Sequence, residues 1–316
     1  MTVPLALLLY AACTAVVSPR LLLRSTWLYS APRWGILVWQ CAVVAVLGSL
    51  ALLALTAVLP FDVVSFDLGH LLHACATVLS QRYALHRDRW VAAVSLLAAG
   101  TTAALLLRAV GQRTLAVART RRRQRTLIDL LARDRNGHGA HVLAHKVPLA
   151  YCIPGGVGRI VLTTAAVEAL GGAELSAVIE HEKAHLRGRH DMVLFGVDVA
   201  HSAFPWMGFF RTARAQIAAL VEMLADDRAA RATGRLALAT ALVDLGCARA
   251  PDGGLGASGH MTVERVQRLV DGERYPSWGR RGLLLLLSVV LVAAPVVIST
   301  APALAARSGL CPFPSS

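Results

Sequence analysis

The sequence predicts a mostly helical α+β protein with four membrane-spanning helices and one soluble domain between the third and fourth. Of its 316 residues, 56% are hydrophobic and 16% are charged, whereas soluble proteins average about 25% charged residues. Four stretches lack Asp, Glu, Lys and Arg and approach or exceed the roughly 20 apolar residues that cross a bilayer. They are Met1–Pro19, Trp34–Phe61, Trp90–Leu107 and Gly282–Ala306.

These spans divide the chain into a membrane domain (1–107), a soluble domain (108–281) and a last span with a short tail (282–316). The first span has an alternative interpretation as a cleaved signal peptide. Such peptides carry positive charge before the apolar run. Here Arg20 and Arg24 follow the run, so we interpret it as a retained helix.

The basic residues predict the orientation of the chain in a cell membrane. The loop 20–33 and the segment 108–146 are strongly basic, and positive loops face the cytoplasm. The soluble domain is therefore predicted to be cytoplasmic, with both termini outside. The net charge of +13 lies mostly beside the spans, where it suits contact with lipid headgroups. Since no recognition motif accompanies it, direct nucleic-acid binding is not expected.

The outer loop and the cysteines carry weaker signals. His70 and His73 lie three residues apart and could bind a metal or sense pH. An amphipathic helix resting on the membrane is our preferred interpretation of this loop. None of the six cysteines forms a C-x-x-C pair, but Cys75 and Cys311 are both predicted outside, where a disulfide is possible.

Within the soluble domain, strand patterns precede helical ones. Residues 108–135 read as a basic helical stalk. Three apolar runs follow, Val142–Ala144, Leu149–Ile153 and Arg159–Thr163, and the turn Pro154–Gly158 predicts a hairpin between the last two. Helical periodicity then predicts four helices. They are Ala173–His190, Arg211–Thr233, Leu236–Cys247 and Val263–Val270.

The first of these helices contains the motif His181-Glu182-Lys183-Ala184-His185. Residues four apart lie on one helix face, so His181 and His185 can bind one Zn²⁺. A catalytic zinc needs a third protein ligand, and Glu222 is the candidate because it interrupts an apolar helical stretch. Asp226, one turn further on, is predicted to accept a hydrogen bond from a ligating histidine.

This arrangement predicts a zinc metalloendopeptidase. A water molecule on such a metal has its pKa lowered towards about 7, and Glu182 is placed to act as the general base in peptide hydrolysis. His190 is expected to be a helix-terminal cation and Lys183 to face solvent. The residue that stabilises the oxyanion is left open between a His and a Tyr of the later helices.

At these residues the sequence resembles the BlaR/MecR-type membrane metallopeptidases, the regulatory sensor-transducers of bacteria. The resemblance includes Arg159–Leu162, His181–His185, Arg187–Asp191, Glu222–Asp226 and Glu264–Leu269. It implies a zincin-like domain of the gluzincin type, with His181, His185 and Glu222 as zinc ligands and Glu182 as base. The family cleaves a transcriptional repressor after an outside stimulus, often with self-cleavage. Family members that sense β-lactams carry a penicillin-binding domain after the last span; here only Arg307–Ser316 follow. The stimulus is therefore expected through the outer loop, the membrane or another protein.

Two other functions remain open. Membrane quality-control zinc peptidases of the heat-shock or prenyl-endopeptidase type share H-E-x-x-H followed by E-x-x-x-D. A catalytically silent membrane scaffold would keep zinc for structure, but structural zinc is usually closed by four Cys or His ligands. By resemblance, the strand residues Tyr151, Cys152 and Ile153 are candidates for binding the substrate backbone; ordinary sheet core is the alternative. Homo-oligomerisation is possible.

Overall fold

The computed structural model describes residues 2–25, 27–58, 89–131, 133–136, 139–247, 257–272 and 278–307. Most of this part of the chain is helical. The helices are α1 (Thr2–Leu23), α2 (Trp27–Ser30), α3 (Pro32–Val58), α4 (Arg89–Leu131), α5 (Thr164–Ala169), α6 (Gly172–Arg187), α7 (His190–Ala203), α8 (Gly208–Thr233), α9 (Arg235–Cys247), α10 (Ala257–Asp271) and α11 (Trp278–Arg307). The strands are β1 (Arg133–Asn136), β2 (Ala140–Leu143), β3 (Ala150–Ile153) and β4 (Arg159–Thr163).

Among the described residues, three helices are long and apolar enough to cross a membrane. These segments are Val3–Leu23, Pro32–Leu53 and Trp278–Ala301, in α1, α3 and α11. The third predicted span, Trp90–Leu107, forms the first part of α4 and is not among them, so the four-span count stays a prediction. The predictions for His70, His73, Cys75 and Cys311 fall outside the described residues.

The predicted stalk is helical and continuous with the segment before it. Helix α4 has 43 residues and is therefore about 65 Å long. It ends at Leu131 rather than at residue 135, because Arg133–Asn136 instead form β1, which pairs antiparallel with β2. The sequence interpretation missed this strand, whose four residues, Arg-Asp-Arg-Asn, carry no apolar alternation.

The sheet confirms the predicted hairpin and places β3 at an edge. The strand order is β1-β2-β4-β3, with β3 antiparallel and β2 parallel to β4. In the turn of the hairpin, Gly155 and Gly156 have φ angles of 99° and 55°, a region that glycine adopts without steric cost. Among the described strands β3 has a partner on one side only, so its other side can pair with another extended segment.

The predicted helix Ala173–His190 ends three residues earlier in the structure, and a second helix begins at His190. Helix α6 ends at Arg187, and Arg189, with φ at 46° and ψ at 44°, turns the chain before α7 begins. The left-handed conformation is unusual for arginine, which is why the sequence did not indicate a break here. Helix α7, absent from the sequence interpretation, follows directly.

Helix α3 packs against helices of the soluble domain. The rings of Trp39 and Phe209 lie 6.4 Å apart between centroids. Near the start of α3, a Cβ atom at Gly35 would lie 2.8 Å from Leu220 Cδ1, so glycine permits the close approach of α8. The membrane helix and the helix that carries Glu222 thus share one core.

We expect Trp39→Ala to destabilise the protein by about 3–5 kcal/mol, because it removes a large side chain with no exposed surface. The measurement is thermal unfolding of the purified full chain in detergent. The matched control is Trp278→Ala, since Trp278 is 86% exposed and its loss should change stability by less than about 0.5 kcal/mol. Equal melting temperatures for the two variants would contradict this packing.

Candidate metal centre

The two histidines of the motif and Glu222 are brought together by the packing of α6 on α8. His181 and His185 lie one turn apart on the same face of α6, as their spacing predicts. Alanines at the contact, including Ala177 and Ala229, are fully buried, and their small side chains let the two helix backbones approach closely. Glu222 on α8 therefore faces both imidazoles.

The donor atoms have the spacing that tetrahedral zinc requires. His181 Nε2 and His185 Nε2 lie 3.1 Å apart. The Glu222 carboxylate lies 3.5 Å from each of them, through Oε2 to His181 and Oε1 to His185. Zinc bonds to nitrogen and oxygen of about 2.0–2.1 Å place the corners of a tetrahedron about 3.3 Å apart. The three side chains therefore fit one zinc ion, with the fourth corner left for water or substrate.

The second ring nitrogen of His181 is held by Asp226. His181 Nδ1 lies 3.0 Å from Asp226 Oδ1, and Asp226 is only 1% exposed. This carboxylate favours a proton on Nδ1, so that Nε2 can bind a metal once it has lost its own proton. Arg265 of α10 compensates the buried carboxylate, since its Nε and NH2 groups both donate to Asp226 at 2.7 Å. Its NH1 group lies 3.3 Å from Glu222 Oε2.

These contacts hold both carboxylates in the charged form. Burial by itself would raise the pKa of Glu222, but its hydrogen bond with His181 and the charge of Arg265 lower that pKa to about 2. The pKa of Asp226 is lowered for the same reasons, with Arg265 the main partner. Burial disfavours the charged form of His181, yet Asp226 and Glu222 outweigh it and raise its pKa to about 9. Two anionic carboxylates beside two imidazoles favour a divalent cation.

His190 is part of the centre, which corrects its expected role as a helix-terminal cation. Its side chain is buried, and its Nδ1 lies 3.0 Å from His185 Nδ1. Burial, with the neighbouring His185, lowers its pKa to about 4, so His190 is neutral at pH 7. A Cβ atom on Gly188 would lie 2.3 Å from His190 Nε2 and 2.4 Å from an Arg228 nitrogen. Glycine at this position therefore leaves room for the buried histidine.

The neutral His190 can orient His185 as Asp226 orients His181. When His185 Nε2 binds a metal, its Nδ1 carries the proton and needs an acceptor. His190 Nδ1 is at hydrogen-bonding distance and would supply it in the tautomer whose Nε2–H faces Arg228 NH1 at 3.3 Å. The other tautomer accepts from Arg228 at Nε2 and would leave the His185 proton without a partner. Sequence reasoning missed both His190 and Arg265 as site residues. The arginine is over 40 positions from Glu222 along the chain, and no motif spacing connects them.

Glu182 is a residue of α6 and lies near the edge strand β3. Burial raises its pKa, an effect that the neighbouring His181 partly offsets. The nearby thiol of Cys152 on β3 also lowers the pKa of Glu182. Among the three strand residues named from the sequence, only Cys152 faces this way. Tyr151 and Ile153 point to the other side of the sheet and pack around Ile128 of α4, so they could bind substrate only through their backbone.

Comparison with known proteins bears on the same part of the chain. Residues 112–250 match the sequence profile of Peptidase family M48. The matched segment contains the candidate metal ligands and Glu182, and it supports a membrane metallopeptidase of the zincin type. The BlaR/MecR subtype is not distinguished by it. No curated protein and no solved structure matches the chain.

We expect Asp226→Asn to weaken zinc binding by about 10–100-fold, the usual effect of losing a carboxylate that orients a ligating histidine. The measurement is competition for zinc with a chromophoric chelator. Asp227→Asn is the matched control, because Asp227 is the next residue, is also buried, and pairs with Arg268 instead of a histidine. Equal zinc affinities in the two variants would remove Asp226 from the centre.

If His190 acts as a hydrogen-bond acceptor for His185, any side chain with an acceptor atom at that place should support zinc binding. His190→Ala should weaken zinc binding about tenfold or more, because the Nδ1 proton of His185 loses its partner. His190→Asn should restore most of the affinity, since its side-chain oxygen takes the place of Nδ1. The same chelator competition measures both variants. If Ala and Asn bind zinc equally well, His190 does not act through this hydrogen bond.

Proposed function

We propose that the protein is a membrane zinc endopeptidase in which His181, His185 and Glu222 hold the metal. The single observation that carries this proposal is the spacing of the three donor atoms, 3.1–3.5 Å, beside an unligated carboxylate. When bound there, zinc supplies Lewis-acid polarisation of water and of the peptide carbonyl. An incomplete ligand set of two His and one Glu supports catalysis over a closed structural site.

Glu182 is the proposed base and proton shuttle. It accepts a proton from the attacking water as the new C–O bond forms, and delivers that proton to the peptide nitrogen as the C–N bond breaks. The raised pKa of the Glu182 carboxyl group makes its carboxylate a better proton acceptor near neutral pH than an exposed glutamate. Its place beside Cys152 puts the proton transfer next to the edge of the sheet.

The edge strand is the proposed docking site for substrate. Within the described part of the chain β3 pairs only with β4, so an extended peptide can add to its other side through main-chain hydrogen bonds. Cys152 then lies between the peptide and Glu182, whereas Tyr151 and Ile153 contribute backbone. This mode requires a locally unfolded or extended substrate segment.

For the physiological substrate we propose a cytoplasmic transcriptional repressor, cleaved in response to a signal outside the cell. The resemblance to regulatory membrane peptidases around Arg187–Asp191 and Glu264–Leu269 supports this role. Self-cleavage within the arginine-rich part of α4 and formation of homo-oligomers belong to the same proposal. The proposed topology places the catalytic domain in the cytoplasm with both termini outside.

The contact between α3 and the catalytic helices favours a second candidate, a quality-control peptidase for membrane proteins. Trp39 of α3 packs on Phe209 of α8, and α8 also carries Glu222. A catalytic centre attached so directly to a membrane helix is suited to substrates that are themselves in the membrane. The two candidates share the metal centre and differ in what is cut.

Glu182→Gln tests the proposed chemistry and the substrate together. We expect this variant to retain zinc, to lose peptidase activity by at least about 100-fold, and to hold uncut substrate in the native membrane. Zinc is quantified in the purified protein, and trapped proteins are identified by mass spectrometry. Glu222→Ala is the control, because it removes a ligand and should lose zinc as well as activity.

The outcomes separate the candidates. Accumulation of one DNA-binding protein supports the regulatory peptidase, and accumulation of many misfolded membrane proteins supports quality control. Wild-type proteolysis by Glu182→Gln would show that the motif is not catalytic.

A further inference from the structure

The hairpin between α7 and α8 ends in an apolar tip. Its residues 203–210, Ala-Phe-Pro-Trp-Met-Gly-Phe-Phe, contain no charged side chain. Phe204 and Phe210 are buried, with ring centroids 5.7 Å apart, and Trp206 stacks edge-on against Phe204 at 5.8 Å. Trp206 itself is 69% exposed. The tip is thus a well-packed aromatic cluster with one large aromatic face left uncovered.

Helix α3 shows where this tip lies relative to a bilayer. Trp39 contacts Phe209, and Trp39 and Val46 belong to the same buried core as the phenylalanines of the tip. Both residues are within the candidate span Pro32–Leu53, about 10 and 21 Å along the helix from Pro32. A bilayer that surrounds this span therefore also reaches the side of the hairpin tip.

Helix α4 leads to the same placement from a different part of the chain. Ala109 belongs to the core that includes the tip, and Leu105 and Leu106 pack against it. Leu105 and Leu106 lie at the end of the apolar stretch Trp90–Leu107, and Ala109 follows it. Just beyond, Arg113 Nε donates to Ser202 Oγ at 2.7 Å. The tip thus lies where α4 changes from apolar to basic, as at a membrane surface.

Exposed apolar side chains are found both at the tip and on the candidate spans. Large apolar side chains are also exposed along α1 and α3, among them Leu8, Leu9, Val44 and Leu55. The nearby charge of Asp198 on α7 is paired with Arg214 on α8, and a long arginine stem allows its charge to stay at the headgroups. The chemistry of the tip matches an amphipathic element that enters the boundary between headgroups and acyl chains.

We propose that the tip of the α7–α8 hairpin inserts into the lipid bilayer, with Trp206 in contact with lipid. The catalytic domain is then held to the membrane by its own hairpin as well as by the spans. Helix α7 begins at His190, beside the metal centre, and its 14 residues extend about 20 Å. The scissile bond of any substrate must therefore lie within about that distance of the bilayer.

The test is quenching of tryptophan fluorescence by brominated phosphatidylcholine, with the full chain reconstituted in lipid vesicles. The contribution of Trp206 is the difference between wild type and Trp206→Phe. We expect this contribution to lose most of its intensity in brominated vesicles relative to unbrominated ones. The matched control is Val157→Trp in the β3–β4 turn, where Val157 is 84% exposed; its added emission should be unaffected by bromine.

A second variant tests the position of the tip without relying on the native Trp206 side chain. Pro205→Trp in the Trp206→Phe background should restore emission that bromine quenches. If the emission of Trp206 and of the Pro205 variant resists quenching as Val157→Trp does, the proposal is overturned. Resistance together with a dimer that dissociates on Trp206→Ala would also overturn it, by showing that a second copy of the chain covers the tip. Neither result depends on peptidase activity.

Discussion

The buried carboxylate of Asp226 is the constraint on which the rest of the centre depends. A charged group with 1% exposure is strongly destabilising unless it is paired and fully hydrogen-bonded. Asp226 meets this requirement with two partners from different elements, the bidentate Arg265 of α10 and the ring of His181 on α6. Satisfying one carboxylate thus brings three helices into register. It also places an acceptor 3.0 Å from His181 Nδ1 and keeps Arg265 against Glu222, so the same contacts that stabilise the fold also shape the candidate metal site. Removing either partner would leave a buried charge. Arg268, about one turn from Arg265, pairs in a similar way with the buried Asp227.

The same packing joins the catalytic helices to the membrane part of the chain. Gly35 allows α3 to approach Leu220 closely, two residues from Glu222, and Arg268 also donates to the backbone oxygen of Tyr29 at 2.6 Å. On the other side of the centre, Arg121 of α4 pairs with Asp191 at 2.7 Å, immediately after His190. Movement of α3 or α4 would therefore displace a candidate metal ligand or the residue beside one. This mechanical continuity is compatible with regulation from the membrane.

Residue spacing along the sequence predicted those parts of the candidate centre that depend on a single helix or turn. Helical periodicity places His181 beside His185 and Glu222 beside Asp226. The glycine-rich turn predicted the hairpin that contains the edge strand β3. The parts that were missed depend on distant contacts or on unusual backbone. Arg265 finds Asp226 only after α10 folds onto α8, and its helix reads from sequence as an ordinary amphipathic segment. The break before His190 rests on a left-handed arginine, so continuing α6 through this position was the natural expectation and gave His190 the wrong role. Strand β1 is polar throughout and exists because β2 offers it a partner.

The central claim is that two imidazoles and one carboxylate hold a single zinc ion with an open position. Zinc K-edge X-ray absorption on the full chain, loaded with one equivalent of zinc, tests it most directly. The account predicts nitrogen and oxygen neighbours at about 2.0–2.1 Å, with the multiple scattering of two imidazole rings, and of one ring in His185→Ala. Sulfur scattering at about 2.3 Å, or a two-ring signal that persists in His185→Ala, would contradict it.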